Sequence, residues 1–255
     1  MARVIVLGSG TGVPTERRSS PGLLVETDKN QGCVILIDPG PGALSRMARA
    51  GFPVQAVDRV LITHFHPDHT MDIMSLLFAR RNPGVAACAG PLTLTGPVGT
   101  KALVANMKNL YGKSMETHEG TLMIVEADEG ALPPASGLQG TAWRMEHSPG
   151  ALGYKLSVGS GTLAVSGDTG PCEALVHLGT GADLFFIECA FPDHEAVEGH
   201  MTPSHIGRLA QKADPGQIVL YHLYPSVDEE EALACIRFFF SGPLCIAEDG
   251  AEFTL

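Results

Sequence analysis

The sequence predicts an α/β fold in which two sheets pack face to face with helices outside, as a single domain spanning residues 1–255. Two observations carry this reading. Short apolar runs recur through both halves of the chain and alternate with stretches of helical spacing, and no linker-like segment divides them. Several of those runs also end in Asp, Glu or His beside a turn, as in Ile37-Asp38-Pro39-Gly40, Ser166-Gly167-Asp168-Thr169, Ile187-Glu188 and Tyr221-His222. Two packed sheets would bring all of these ends to one edge.

Taken in order, Val4-Ile5-Val6-Leu7 reads as the first strand. The glycines at 8, 10 and 12 follow it, but their spacing is one residue short of G-x-G-x-x-G and Val13-Pro14 stands where a helix should open, so they read as a turn. Gly22 to Glu26 and Cys33 to Asp38 are two strands joined by a polar loop, Lys29-Asn30-Gln31-Gly32. Ala43 to Ala50 is a short helix closed by Gly51. Val60-Leu61-Ile62 is a buried strand and Met71 to Phe78 a mostly apolar helix. Pro91 to Pro97 continues the short runs, and a helix follows to about Leu110. The acidic, glycine- and proline-rich region from Glu116 to Gly140 gives no clear element and is expected to form part of the substrate pocket wall. Strands resume at Thr141 to His147, Tyr154 to Val158, Thr162 to Val165 and Asp183 to Glu188. Thr202-Pro203 opens a helix by capping and proline placement, and Gln217 to Tyr221 is a strand that delivers His222.

Composition narrows the function. Hydrophobic residues make up 44% of the chain and the mean hydropathy is +0.13, yet no apolar run approaches the roughly 20 residues that span a bilayer. The first apolar run is also too short for a signal-peptide core, so the expected compartment is the cytoplasm, with no membrane partner. The six cysteines are scattered without a Cys-x-x-Cys pair and read as thiols in a reducing compartment. A net charge of −11, from 28 acidic and 17 basic residues, disfavours a long polyanion as partner. Arg17-Arg18 and Arg80-Arg81 are the only dense basic spots and read as solvated pairs.

The chemistry concentrates in Thr63-His64-Phe65-His66-Pro67-Asp68-His69. Four side chains able to ligate a metal fall within six positions. Imidazole and carboxylate together suit zinc or a similar divalent ion.

This His-x-His-x-Asp-His motif, with the later His147, the Ser166 to Thr169 turn and His222, resembles the metallo-β-lactamase superfamily. The details are similar to its ribonuclease Z branch, namely Gly8 to Pro14, Leu36 to Gly40, Glu188-Cys189-Ala190-Phe191 and His200-Met201-Thr202. The resemblance implies a four-layer αββα sandwich of two mixed β-sheets flanked by helices, and a metal-dependent hydrolase. It also implies two divalent ions, zinc by expectation and manganese or iron as alternatives. His64, His66 and His147 would hold one ion and Asp68, His69 and His222 the other, with Asp168 bridging. Asp68, His200 and Glu188 are then the catalytic candidates. Asp38 would hydrogen-bond a ligand imidazole, although it could equally cap the turn after its strand. His118, His177, His194 and His205 match nothing in the motif and read as surface histidines. His66 stands where the oxygen-reducing branch carries Glu, and the presence of Asp168 argues against the antibiotic-hydrolysing branches. A homodimer is compatible with the branch.

The ribonuclease Z branch usually carries a long basic arm between the third histidine and the bridging aspartate. Here His147 and Asp168 are only 21 positions apart, enough for two strands and their turns. The expected substrate is therefore a small phosphodiester such as a cyclic nucleotide. Alternatives are a tRNA 3′-endonuclease, a thiolester or lactone hydrolase, and a non-catalytic metal-binding module.

Overall fold

The computed structural model describes residues 1–28, 32–115 and 120–255. The expected loop at Lys29-Asn30-Gln31, the segment from Glu116 to Glu119 and His118 lie outside these residues.

The first half of the chain builds β1 (Arg3–Gly8), β2 (Gly22–Glu26), β3 (Val34–Ile37), helix α1 (Ala43–Arg49), β4 (Arg59–Leu61), α2 (Pro67–Ala79), α3 (Pro83–Ala86), β5 (Leu92–Pro97), α4 (Thr100–Tyr111) and β6 (Leu122–Ala127). The second half adds β7 (Gly130–Ala131), β8 (Gly140–Arg144), β9 (Leu152–Val158), β10 (Gly161–Val165), α5 (Glu173–Gly179), β11 (Leu184–Glu188), α6 (Pro203–Ala213), β12 (Ile218–Tyr221), α7 (Glu229–Arg237), β13 (Leu244–Ile246) and β14 (Glu252–Thr254). They form two seven-stranded sheets, ordered β14-β1-β2-β3-β4-β5-β6 and β13-β12-β11-β10-β9-β8-β7. Both are mixed. Strands β3 to β6 run parallel, as do β10 to β13, and the remaining neighbours pair antiparallel.

The unbroken apolar character of the strands has a simple cause: each sheet is covered on both faces. Along β1, Val4 and Val6 point into the layer between the sheets while Ile5 and Leu7 face α1 and α2. Along β11, Phe186 faces the sheet interface and Phe185 the layer under α5 and α6. Three apolar layers result, one between the sheets and one beneath each set of helices, which is the four-layer sandwich expected. No helix among the described residues is long and apolar enough to cross a membrane.

The structure corrects several boundaries. Helix α2 begins at Pro67, inside the metal-binding motif, because His66 takes extended N-cap geometry and proline suits the first helical position. Asp68 and His69 therefore sit on its first turn. Strand β8 ends at Arg144, so His147 lies in the turn beyond it. Thr202 is the N-cap of α6, but its hydroxyl meets His205 Nδ1 at 3.1 Å and makes no bond to a helix N–H. The region read as featureless contains β6 and β7. Arg18 is not solvated: it is 7% exposed and donates to Ser9, to the Ala247 carbonyl and to Glu229. Arg80 likewise donates to the carbonyls of Val57 and Gly90.

Candidate metal centre

Six of the site positions lie at the carboxyl ends of strands or just beyond them: Asp38 after β3, His64 after β4, His147 beyond β8, Asp168 after β10, Glu188 at the end of β11 and His222 after β12. The sheets are also tied to each other at this edge. Leu152 N donates to the Thr63 carbonyl at 2.9 Å, and Tyr154 Oη to the Ile62 carbonyl at 2.7 Å. Gly40 permits the N-terminus of α2 to close against the turn after β3, since a Cβ there would stand 1.9 Å from the Asp68 carbonyl oxygen.

Two donor triads face each other across Asp168. His66 Nδ1 and His147 Nε2 are 3.1 Å apart, and both His64 Nε2 and His147 Nε2 approach one oxygen of Asp168, at 3.7 and 3.8 Å. The other oxygen of Asp168 lies 3.3 Å from His69 Nε2 and 3.3 Å from His222 Nε2, which are themselves 3.2 Å apart. Asp68 Oδ2 completes this second group at 3.8 and 3.6 Å from the same two nitrogens. Donors about 2.0–2.1 Å from a tetrahedral ion stand roughly 3.3 Å from one another, so each triad has the dimensions of a divalent-ion cage. Buried His64 Nε2 and Asp168 Oδ1 have no hydrogen-bond partner, which is costly unless a cation satisfies them. The donor set therefore fits metal.

Behind the triads the tautomers are set by the protein. Asp38 is 2% exposed and accepts from Thr63 N at 2.8 Å and Thr63 Oγ1 at 2.7 Å. Its Oδ2 also accepts from His69 Nδ1 at 3.0 Å. Because the Thr63 hydroxyl donates to Asp38, it accepts from His64 Nδ1, 3.0 Å away. His147 Nδ1 donates to the Gly199 carbonyl at 2.9 Å. All three imidazoles thus use Nδ1 to donate and turn Nε2, the nitrogen a metal ion would take, toward the centre. Asp38 and His222 both hold positive φ, 47° and 56°, a strained backbone that its surroundings enforce. Asp38 both fills the turn after β3 and braces His69, so neither sequence reading excluded the other. Thr63 was missed, because a threonine at a strand's end carries no metal-ligand signal of its own.

Burial works against ionisation of Asp168, yet His222 and His69 outweigh it and hold the carboxyl well below its usual range. Burial also disfavours charged His69, but Asp168 and then Asp38 reverse this and raise it well above the ordinary value. Asp68 comes down to about 2 against its burial, through His222 and His69. Burial is the leading cause that lowers His64 and His147.

His200 stands beside the centre. Its Nδ1 is 3.0 Å from Glu188 Oε2, and a donor atom from each of Asp168, His200 and His222 falls within 4.8 Å of the others. Glu188 is fully buried and accepts from Thr169 N. Burial first, then the charge of Asp168, raises its carboxyl well above the usual value, and burial lowers His200. His177 is exposed and stacks on Trp143 with ring centroids 5.0 Å apart, and half-buried His205 meets Thr202, so both lie outside the metal triads as expected. His194 is exposed beside Glu195. A cavity of about 880 Å³ opens beside His66, His147 and His200; its walls come from residues 146–148, 170–173, 196–200 and 205. The described part of the 116–140 region contributes nothing to it, contrary to expectation.

The fold and this constellation define a class, the metal-dependent hydrolases of metallo-β-lactamase architecture. The Beta-lactamase superfamily domain matches residues 34–223, and the chain belongs to that family. Ribonuclease Z of Mycobacterium marinum is 28% identical over 268 residues, covering 93% of this chain and 94% of the relative. Ribonuclease Z of Myxococcus xanthus is 29% identical over 306 positions, covering 98% and 96%. Among solved structures, the metallo-β-lactamase fold protein YhfI of Bacillus subtilis superposes with a TM-score of 0.83 at 23% identity, over the whole of both chains. The short form of human tRNase Z gives 0.72 at 18% identity, over 99% of this chain and 98% of that one. These two show the same fold.

Proposed function

We propose that this chain is a dinuclear metal-dependent phosphodiesterase acting on a small phosphodiester such as a cyclic nucleotide. One observation carries the dinuclear part: Asp168 directs one carboxylate oxygen at each triad. In this reading His64, His66 and His147 would hold one ion and Asp68, His69 and His222 the other, with Asp168 shared between the two groups. Bound zinc, or manganese or iron, would polarise a phosphoryl oxygen and supply an activated water near neutral pH. In this reading His200 protonates the departing oxygen from Nε2, a role supported by the 3.0 Å contact through which Glu188 fixes its ring at Nδ1. Asp38 and Thr63 hold His69 and His64 in the required tautomers. The six unpaired thiols fit the cytoplasm as the proposed compartment, and the proposed assembly is a homodimer.

The small-substrate part is supported by what lies between His147 and Asp168. That segment is the β9–β10 hairpin alone, and the chain's net charge is −11. Turnover of bis(p-nitrophenyl) phosphate with added manganese or zinc, together with about two ions per chain, tests the proposal. Activity confined to thiolesters or lactones would reassign the substrate, and far fewer than two ions would remove the dinuclear centre.

The second reading, a tRNA 3′-endonuclease, is favoured by the names of the curated relatives. Cleavage of a precursor tRNA at low salt would establish it, and failure to bind one there would dispose of it.

A further inference from the structure

Glu188 holds His200 at one corner of the ring. Both of its carboxylate oxygens lie within reach of His200 Nδ1, at 3.0 and 3.2 Å, so the imidazole can swing between them without losing the bond. The direction in which Nε2 points is therefore left to packing, and two further rings supply it. Phe191 meets His200 edge-on, with centroids 5.4 Å apart and planes at 72°. Phe191 in turn stacks on Tyr224 at 4.5 Å and 16°. Tyr224 stands almost equally far from His200 and from His222, at 6.4 and 6.1 Å, and nearly perpendicular to both. The imidazoles of His200 and His222 are 6.1 Å apart and within 12° of parallel. The backbone repeats the link. Tyr224 N donates to the Ala190 carbonyl at 3.2 Å, and Phe191 N to the Met201 carbonyl at 3.4 Å, so the turn after β12 that delivers His222 is fastened to the loop that carries His200. Both aromatic rings are only half-buried and belong to none of the three apolar layers, so core packing does not account for the stack.

We infer that Phe191 and Tyr224 are positioning residues, whose stack fixes the His200 ring at a set distance from His222 and so from the departing oxygen of a substrate at the centre. The inference rests on the phosphodiesterase reading above. No role in bond breaking is assigned to either ring. A proton donor works only within hydrogen-bond reach of its acceptor, and a misplacement of about 1 Å can cost about 10²-fold in rate. That loss depends on the leaving group. A phenol or alcohol oxygen needs its proton as the P–O bond breaks, whereas p-nitrophenolate departs readily as the anion and gains little from the donor.

The test compares Phe191→Leu, Tyr224→Leu and Tyr224→Phe on methyl phenyl phosphate and methyl p-nitrophenyl phosphate, with metal content measured for each. The expected result is a kcat about 10- to 100-fold lower for both leucine variants on the phenyl ester and a much smaller loss on the p-nitrophenyl ester, with KM and metal content unchanged. Tyr224→Phe keeps the stack and should match the parent on both esters. In a His200→Ala background neither leucine substitution should lower kcat further. The imidazole NMR signal of His200 in the metal-free protein should be single and should broaden in both leucine variants, independently of turnover. Equal losses on the two esters, a further loss in His200→Ala, a loss of bound ions, or a His200 signal that neither leucine variant alters overturns the proposal while leaving the hydrolase reading intact. Turnover of neither ester by the unsubstituted protein overturns the reading beneath it as well.

Discussion

Oδ2 of Asp38 lies 3.0 Å from Nδ1 of His69, and the same oxygen accepts the hydroxyl of Thr63, which in turn holds His64. One carboxylate therefore braces a donor in each of the two triads. Asp38→Ala should weaken both sites, lowering metal affinity about 10- to 100-fold. Thr63→Val should act mainly through His64. Chelator competition followed by metal analysis distinguishes them, and equal retention of both ions in Asp38→Ala would contradict the bracing role.

Asp168→Asn keeps the side chain's size but removes the charge that faces four imidazoles. Metal content should fall from about two ions per chain toward one or fewer. Turnover of bis(p-nitrophenyl) phosphate should drop by about 10²-fold or more, as expected when metal-ion assistance worth several kcal/mol is lost.

His200→Ala should reduce kcat by about 10²- to 10⁴-fold, the usual contribution of a positioned proton donor, with metal content unchanged. Glu188→Gln should reproduce part of that loss, because the ring loses its anchor while the donor remains. A large change in metal content in either variant would assign the residue to the metal cage instead.

In the metal-free chain the histidines should stabilise the fold most near pH 6.5, while neutral Glu188 adds stability that is complete below about 4.5 and lost as pH rises through its raised value. Folded His64, His147 and His200 have lowered values, so below about 6.5 the unfolded chain binds more protons and stability falls with pH. Folded His69 is raised, so its contribution is complete below about 6.5 and is lost as pH climbs through the raised value. Thermal melts in chelator from pH 5 to 9 should trace this maximum. Bound ions replace the proton on His69, so the alkaline decline should disappear in the metal-loaded protein.

Phe186→Ala should cost about 3–5 kcal/mol in denaturant unfolding, the range for deleting a large buried ring. Phe186 is fully buried between the sheets and packs edge-to-face on Tyr221 and Phe253, at 6.0 and 5.4 Å between centroids.

Much of this molecule could be read before its structure. The strands showed themselves because burial on both faces makes them continuously apolar, and the site residues because they end those strands. Other features depend on contacts that no local pattern encodes. Thr63 matters only because Asp38 is folded against it, 25 residues away in sequence. Helix α2 starts four residues earlier than its apolar spacing suggested, since His66-Pro67 opens the helix on polar residues. The cavity walls could not be anticipated, because Glu146 and Glu198 lie in two separate turns and Glu173 opens helix α5. Arg18 looked like half of a basic pair and is a buried latch, because its partners Ala247 and Glu229 are more than two hundred residues distant.

That latch has a consequence for how the protein assembles. Residues 9–19 are held by Asp249, which accepts from Ser9 N at 2.8 Å and Ser19 N at 2.7 Å, and by the contacts of Arg18. Gly12 of this loop lies against Asp68, where an added Cβ would be 3.4 Å from the carboxylate. Contacts that close loops of this length form late in folding and open early in partial unfolding. The loop beside Asp68, helix α7 and edge strand β14 should therefore open as one cooperative unit, visible as matched hydrogen-exchange rates, while the remaining strands of both sheets persist. The chain would then pass through a state with its core complete and the wall beside Asp68 unbuilt, so that folding and catalytic competence arrive at different times.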